Sequence, residues 1–313
     1  MIQRLARWLS GIGLHWFYSE IRISGLERIP RNGPILVAMN HQNALVDAML
    51  ALETVPRELR ITAKASLSDS LAGAALMKAA DIVPLSRASD TAVAHDPLRN
   101  RHAFEAIIEE LRRGGAVLVF PEGKSHNDPE LAPLKTGLAR AALRAREANV
   151  HGIRIIPIGT TFADKAEPDT IVSVQIGEPI LMDDWPDDDA HRLTAAVATR
   201  LRMVSFTGDV TTQSESMDIH QNILIRLVAW WGRTMHDIPL RIARGQAIRL
   251  SADAGEPAMY TMTLGLAAIL VSYLIEVPII WALFGGITAF LFLGSLVTGA
   301  YWAAYTENFP KRP

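Results

Sequence analysis

The chain has 313 residues, of which 49% are hydrophobic, and it contains no cysteine. This length accommodates one large domain or two small ones, and the lack of cysteine excludes disulfides, a thiol nucleophile and thiolate metal ligands. The formal net charge of −2 gives no global positive field that would attract nucleic acid, so we expect no nucleic-acid partner.

An amphipathic helix is predicted over residues 1–23. Apolar and aromatic residues recur there at mostly helical spacing, with Arg4 and Arg7 among them. The helix either lies in a membrane interface, with its arginines on anionic lipid, or packs against the protein core. No small-residue cleavage site follows it, so we expect no cleaved signal peptide.

A histidine and an aspartate follow the first predicted strand. The apolar run Ile35–Met39 predicts a buried strand, and the alanine- and leucine-rich stretch after it predicts a helix. Positions six apart on one helix lie about 240° apart, so His41 must lie in the strand-to-helix loop to meet Asp47 in the first helical turn. An aspartate placed there accepts a hydrogen bond from one imidazole nitrogen and leaves the other as a general base for a hydroxyl. A chance His/Asp pair in a loop is the alternative.

Strands then alternate with helices, and basic residues follow two of the strands. Arg87 comes after a short strand, at the edge where ligands of parallel sheets collect. It either grips a phosphate through two parallel hydrogen bonds or forms a surface ion pair. The predicted elements here are a strand at Leu59–Ala63, a helix at Ser70–Ala80, a strand at Ile82–Leu85, a loop at Ala88–Arg101 and a helix at Phe104–Arg113.

A second polar stretch, Pro-Glu-Gly-Lys-Ser-His over residues 121–126, follows the predicted strand Val117–Phe120. Together with the first stretch it resembles the glycerophospholipid acyltransferase family, which includes lysophosphatidate and glycerol-3-phosphate acyltransferases. The four family blocks are matched in order by Asn40-His41 with Asp47, by residues 81–87, by Phe120–Gly123 and by residues 155–159.

The match departs from the usual family pattern at three places. Five residues separate His41 from Asp47 where four are commoner, and the longer form resembles a subset that includes glycerol-3-phosphate acyltransferases. Asp81 stands where the family usually has Gly. The stretch after Gly123 lacks the usual Arg. These departures bear on the acceptor substrate more than on the reaction type.

The resemblance implies roles for the matched residues. His41 would deprotonate the acceptor hydroxyl and Asp47 would orient it, while Glu122 would bind the polar head of the acceptor. A carboxylate that holds the N–H groups of a turn is the alternative for Glu122. Gly123 would let backbone approach the ligand, and Ser125 would donate to phosphate.

Three further basic residues are candidates for this site. His126 could donate to phosphate or act as a second base. Lys64, after the strand at Leu59–Ala63, would line the acceptor phosphate region, or be solvated. Lys135 lies near a predicted helix N-terminus, which disfavours a cation. We therefore expect it to face an anionic ligand, such as the phosphates of a thioester carrier, unless it is solvated.

The second half of the chain changes from a soluble to a membrane-like pattern. An acidic run at Asp183–Asp189 is expected to cap the helix that begins near His191, with metal binding as a remote alternative. Residues 207–216 resemble a linker, and Ile219–Leu250 mixes apolar and arginine residues in the manner of membrane-surface helices. Other predicted elements are a helix at Leu138–Arg146 and strands at Ile153–Ile158 and Ile171–Ile176.

Two apolar runs, Tyr260–Ile275 and Val277–Tyr305, are each near the length of a membrane span. Both flanks of the pair are basic, which predicts a hairpin with both ends cytoplasmic and a turn at Glu276 outside. One span with a re-entrant or surface helix is the alternative.

The sequence therefore predicts an α/β fold with a mixed, largely parallel sheet flanked by helices, and C-terminal membrane helices. The expected divisions are an N-terminal interfacial helix (1–23), an acyltransferase α/β domain (24–206), a linker with membrane-surface helices (207–257) and two transmembrane helices (258–306).

The resemblance implies acyl transfer from acyl-CoA or acyl-acyl carrier protein, as co-substrate, to the hydroxyl of 1-acylglycerol-3-phosphate, with glycerol-3-phosphate as the second choice of acceptor. A non-catalytic lipid-binding protein and a lipid hydrolase are the alternatives. We expect no metal and no cofactor. The expected location is the bacterial inner membrane, with the catalytic domain on the cytoplasmic face.

Overall fold

A computed structural model of the chain describes residues 2–64, 77, 82–85, 97–126, 128, 130–165, 167, 170–205, 223–251 and 257–305. Arg87, most of the helix predicted at Ser70–Ala80 and the linker predicted at 207–216 lie outside these residues. The chain divides into two compact units, an α/β unit formed mainly by Arg22–Thr161 and Val172–Asp209 and a helical unit formed mainly by Val210–Pro313.

The described part of the α/β unit is built on one sheet. Its strand order is β1-β7-β6-β2-β5-β3-β4, with β8 paired to β6 beside this path. The strands are β1 (Glu20–Ser24), β2 (Ile35–Met39), β3 (Arg60–Lys64), β4 (Val83–Leu85), β5 (Ala116–Val119), β6 (Arg154–Phe162), β7 (Ile171–Ile176) and β8 (Ile180–Leu181).

Strand β2 lies in the middle of the sheet and runs parallel to both of its neighbours, β5 and β6. Strand β3 is parallel to β4 and β5, whereas β8 is antiparallel to β6. The predicted mixed, largely parallel sheet is therefore confirmed. Every residue of β2 and β5 is buried, as expected for parallel strands in the interior of an α/β sheet.

Helices pack against this sheet through small and branched apolar side chains. One hydrophobic core joins Leu36 of β2 and Val117 of β5 to apolar residues of three helices, here α3, α4 and α5. Asp189 caps α5, since its carboxylate accepts hydrogen bonds from the N–H groups of His191 (2.8 Å) and Arg192 (3.4 Å), which confirms the predicted cap. The helices in chain order are α1 (Ile2–Phe17), α2 (Ala44–Thr54), α3 (Pro97–Arg112), α4 (Gly137–Glu147) and α5 (Ala190–Val204).

Two predicted boundaries are wrong. The N-terminal helix ends at Phe17, and Glu20–Ser24 forms strand β1, so residues 1–23 are not one helix. Helix α3 begins at Pro97, inside the loop predicted for Ala88–Arg101. Proline at the first helical position has no N–H that would be left unpaired. It is therefore favoured at the start of a helix, although it disrupts a helix interior.

The helical unit contains three long C-terminal helices, α6 (Ile223–Ser251), α7 (Pro257–Phe284) and α8 (Gly286–Tyr305). Ala258–Phe284 (27 residues) and Gly286–Ala303 (18 residues) are long and apolar enough to cross a membrane, by length and composition. They are the two candidate membrane helices that the sequence predicted.

The turn between these two helices is not at Glu276. Helix α7 continues through Glu276 and Pro278 and ends before Gly285, which adopts a left-handed φ of 84°. The Gly285 N–H donates to the carbonyl of Trp281 at 2.9 Å. A glycine in this conformation ends a helix at no steric cost, whereas one charged side chain does not interrupt the backbone hydrogen bonds.

Helix α6 packs against α8 through glycine. A Cβ atom built on Gly232 would lie 2.0 Å from the carbonyl oxygen of Gly299, so the two backbones are in direct contact. Small residues allow this close approach, which is typical of helix pairs in membranes. The predicted membrane-surface helices of this region therefore form one continuous helix that packs against α7 and α8.

Candidate active site

Three neighbouring parallel strands end at one edge of the sheet. In the β2–β5 register Ala38 lies beside Val119, and in the β2–β6 register Met39 lies beside Ile158. The residues just beyond these positions therefore meet: His41 after β2, the segment that starts at Phe120 after β5, and the end of β6. The two polar stretches found in the sequence are far apart in the chain but lie together at this edge.

His41 lies in the loop between β2 and α2, and Asp47 lies in the first turn of α2. The Nδ1 atom of His41 is 3.0 Å from Oδ2 of Asp47. The backbone N–H of Asn43 donates to the same oxygen at 2.7 Å. The predicted geometry of the pair is thus confirmed, and it leaves Nε2 of His41 for a substrate proton.

The carboxylate of Asp47 is fully buried. Burial raises the pKa of Asp47, and the hydrogen bonds from His41 and from the Asn43 N–H oppose that rise. The other carboxylate oxygen, Oδ1, is buried and makes no hydrogen bond within the described residues. The site therefore holds a carboxylate whose negative charge depends on its contact with His41.

Phe120 lies flat on the imidazole of His41. The two ring centroids are 3.9 Å apart, and the ring planes are inclined by 14°. The side chain of His41 is 12% exposed. One edge of the imidazole is thus held by Asp47 and one face is covered by Phe120.

Glu122 connects the loop after β5 to His41. One carboxylate oxygen, Oε1, accepts the His41 N–H at 2.6 Å, and the other accepts the Ala132 N–H at 2.7 Å and contacts Nε2 of His126. The N–H of His126 donates to the carbonyl oxygen of His41 at 3.2 Å. These contacts match the alternative in which Glu122 holds the N–H groups of a turn. The side chain of Glu122 is also fully buried.

The other candidate residues are distributed around the same loop. Gly123 has a left-handed φ of 80°, and a Cβ atom there would lie 3.5 Å from Cγ of Lys135. The Lys135 N–H donates to the carbonyl of Pro121 at 2.7 Å, and the residue is exposed. Ser125 is partly buried in this loop. The structure therefore brings Lys135 to the second polar stretch, 12 positions after Gly123 in the chain.

Two basic candidates are placed less closely. Lys64 is the last residue of β3, whose parallel pairing with β5 directs its carboxyl end to the same edge of the sheet. The described structure of Lys64 is limited to its backbone. Arg87 lies outside the described residues, so its expected contact with phosphate stays a prediction.

The sequence reasoning gave no role to Asn40. This residue is 1% exposed and makes three hydrogen bonds with Thr160 of β6. Its Oδ1 accepts from the Thr160 N–H at 2.7 Å and from Oγ1 at 3.0 Å, and its Nδ2 donates to the Thr160 carbonyl at 2.9 Å. A polar residue directly after a fully apolar strand was the available signal, since a buried amide requires partners.

Within the described residues, no group of three or more His, Asp or Glu side chains is arranged to hold a metal ion. The polar atoms at the edge of the sheet instead pair with one another, in two histidine–carboxylate contacts. Chemically, the arrangement provides a histidine, His41, that can act as a base and a buried carboxylate that accepts a hydrogen bond from it. The backbone N–H and carbonyl of His41 are also held by hydrogen bonds.

The α/β fold described above is similar to that of a solved acyltransferase. The crystal structure of the 1-acyl-sn-glycerophosphate acyltransferase PlsC from Thermotoga maritima has the same fold, with a TM-score of 0.50 and 22% identity over 64% of this chain and 78% of that one. Residues 20–161 match the model of the Acyltransferase family.

Curated relatives include enzymes named for two different acceptors. Glycerol-3-phosphate O-acyltransferase 2 of Saccharomyces cerevisiae is 32% identical over 28% of this chain and 12% of its own length. The chloroplastic 1-acyl-sn-glycerol-3-phosphate acyltransferase LPAT1 of Arabidopsis thaliana is 26% identical over 52% of this chain and 42% of its own length. The chain thus matches less than half the length of each of these relatives.

Proposed function

We propose that this protein is an O-acyltransferase that transfers a fatty acyl group from acyl-CoA or acyl-acyl carrier protein to the hydroxyl of 1-acylglycerol-3-phosphate, which gives phosphatidate. The observation that carries this proposal is the 3.0 Å contact between His41 and Asp47 inside the segment that matches the Acyltransferase family. A buried carboxylate behind a histidine is the arrangement that a general base for a hydroxyl requires.

In the proposed reaction, Nε2 of His41 takes the proton of the acceptor hydroxyl while its oxygen attacks the thioester carbonyl. The new C–O bond forms as the C–S bond breaks, and the thiolate leaves with the proton that His41 has carried. Asp47 stabilises the imidazolium formed in between. No covalent acyl-enzyme is needed, because the enzyme places two reactants together.

The acceptor phosphate would lie beside the loop after β5. We propose that Gly123, Ser125 and Lys135 line this region, together with Lys64 and Arg87. Glu122 acts in this proposal through His41, since both of its oxygens accept hydrogen bonds from the protein. The reaction needs no metal or cofactor in this scheme.

Glycerol-3-phosphate is the second candidate acceptor. The five-residue spacing between His41 and Asp47 favours it, as do two yeast relatives named glycerol-3-phosphate O-acyltransferases, which are 32% and 30% identical over 89 and 78 residues. Both acceptors present a hydroxyl and a phosphate on glycerol, so the same base serves either reaction.

The helical unit supports a membrane location for these substrates. Apolar side chains are more than half exposed along α7 and α8, among them Leu274, Trp281, Ile287 and Phe290. Exposed apolar helices of this length are stable in a bilayer. We therefore propose that α7 and α8 form a membrane hairpin, with the catalytic domain on the cytoplasmic face of a bacterial inner membrane.

The test is an assay of the purified, detergent-solubilised protein with labelled acyl-CoA, with lysophosphatidate and glycerol-3-phosphate offered in parallel. We expect labelled phosphatidate from the first acceptor and a loss of about 10²-fold to 10⁴-fold in His41→Ala. His102→Ala is the matched control, because the His102 side chain is 78% exposed and pairs with Glu105 on the same helix, α3.

The products separate the alternatives. Labelled lysophosphatidate from glycerol-3-phosphate would identify the second acceptor. Free fatty acid formed equally with and without an acceptor would indicate a hydrolase. A folded His41→Ala protein with full activity would contradict the mechanism, and wild-type protein inactive with every acceptor and with a carrier-protein thioester would favour a binding protein.

A further inference from the structure

The imidazole of His41 is restrained by two contacts of different kinds. Asp47 accepts a hydrogen bond from Nδ1, which holds that edge of the ring but leaves the ring plane able to tilt about the hydrogen bond. Phe120 is stacked on the ring face at 3.9 Å and 14°, which opposes that tilt. Together they define where Nε2 points.

The stacked ring also bears on charge. During acyl transfer His41 becomes an imidazolium, and a cation over an aromatic face within about 6 Å of the centroid is stabilised by the ring quadrupole. The titratable groups near His41 in the described residues are Asp47 of α2 and Glu122 and His126 of the loop after β5. None of these covers the face that Phe120 covers.

We propose that Phe120 is a positioning residue for the transfer: its ring holds the His41 imidazole in the orientation that presents Nε2 to the acceptor hydroxyl, and it stabilises the imidazolium. This inference rests on the proposed function, because it assigns Phe120 an effect on a rate that His41 controls. It adds a role that burial alone would not require, since a leucine of similar hydrophobicity could fill the same space.

The contrast between a flat and a branched side chain provides the experiment. Phe120→Leu keeps an apolar group but removes the aromatic face, while Phe120→Tyr and Phe120→Trp keep a face. Phe104→Leu is the matched control, because Phe104 is also partly buried and contacts the core from α3. Each variant is assayed for kcat and KM, and its thermal stability is measured.

We expect kcat to fall by about three- to tenfold in Phe120→Leu with little change in KM, and to recover in the aromatic variants. A packing defect alone would not depend on whether the new side chain presents an aromatic face.

A spectroscopic measurement keeps the inference separate from the proposed activity. In histidine-labelled protein, the His41 signals are assigned by their absence in His41→Ala. A stacked ring shifts them upfield, so they should move downfield in Phe120→Leu and stay in place in Phe104→Leu. This readout can be made even if no acceptor is turned over.

The outcomes decide between the possibilities. If wild-type protein is inactive with all substrates, the proposed function fails while the ring contact is still measured. If activity is present and Phe120→Leu matches Phe104→Leu in kcat and in the His41 signals, the inference is wrong. Loss of activity that neither aromatic variant restores would also overturn it.

Discussion

At the scale of single residues, the site depends on a carboxylate placed where it is costly to ionise. Asp47 is fully buried, and burial raises its pKa above the ordinary value of an aspartate. The same burial strengthens its contact with His41, because a low local dielectric increases the attraction between the carboxylate and an imidazolium. The folded state thus loses stability at the position where the proposed reaction needs a negative charge.

The burial of Asp47 predicts opposite effects of Asp47→Asn on activity and on stability. A carboxyl whose pKa is raised in the folded state makes its full contribution to the free energy of unfolding at low pH, where it is protonated. This contribution is lost as pH rises through the folded-state pKa. The melting temperature of Asp47→Asn relative to wild type should therefore increase from pH 4 to pH 8. Activity should fall by about 10²-fold or more, because an amide cannot stabilise the imidazolium.

Thermal unfolding across this pH range and assays at its neutral end check the prediction. Asp128→Asn serves as the control, since Asp128 is exposed. A melting temperature of Asp47→Asn that falls relative to wild type as pH rises would mean that the ionised carboxylate is net stabilising.

At the scale of elements, the position of the loop between β2 and α2 depends on Asn40. Its side chain joins the end of β2 to Thr160 of β6 through three hydrogen bonds in the protein interior. Because His41 is the next residue, this link also fixes the start of the loop that carries the proposed base.

Asn40→Ala should lower the free energy of unfolding by about 2–4 kcal/mol, because it leaves the N–H and carbonyl of Thr160 buried without their partner. Thr160→Val removes one hydrogen bond only and should cost about 0.5–1.5 kcal/mol. Denaturant titration measures both, with the exposed Thr199→Val as control. Equal costs for the two variants would contradict this account.

The contact between α6 and α8 makes a second prediction at this scale. A Cβ atom on Gly299 would lie 2.8 Å from the Cα of Gly232. A backbone atom cannot move aside unless the helix that contains it also shifts. Gly299→Ala should therefore destabilise the helical unit by about 1–3 kcal/mol. Gly294→Ala, on the same helix with nothing near its Cβ, should be neutral or stabilising by up to about 1 kcal/mol.

Loss of helicity on heating in detergent, followed by circular dichroism, gives the comparison. The two substitutions add the same methyl group to the same helix, so helix propensity cancels between them. Similar melting temperatures for both variants would show that α6 and α8 do not pack closely in solution.

At the scale of the whole molecule, the two units have surfaces of different character. The α/β unit covers its apolar strands with helices, whereas α7 and α8 expose apolar side chains along their length. A hairpin that crosses a bilayer places the turn at Gly285 on the side opposite to both of its ends. The corrected turn position therefore changes which residues should be reachable from outside the cell.

Because the chain has no cysteine, single introduced thiols report this arrangement without background. In intact bacterial cells, a membrane-impermeant maleimide should label Ile287→Cys beside the turn and should not label His151→Cys in the α/β unit. After the cells are broken, His151→Cys should react as well. Labelling of neither thiol before lysis would contradict a hairpin that spans the membrane.

The sequence by itself determined the fold class and the nature of the central site. Strand β2 and the pair His41 and Asp47 were readable because an apolar run, a loop and a helix start follow one another within a few residues. The longer apolar runs likewise predicted α7 and α8, since periodicity and hydropathy are local properties.

Only the tertiary structure decided how distant residues are used. Parallel pairing of β2 with β5 and β6 brings Phe120, Glu122 and Thr160 to His41 and Asn40, and no local pattern specifies those partners. The end of α7 depended on the left-handed conformation of Gly285 rather than on the charge of Glu276. Local order is encoded by neighbouring residues, but contacts between segments require the packed chain.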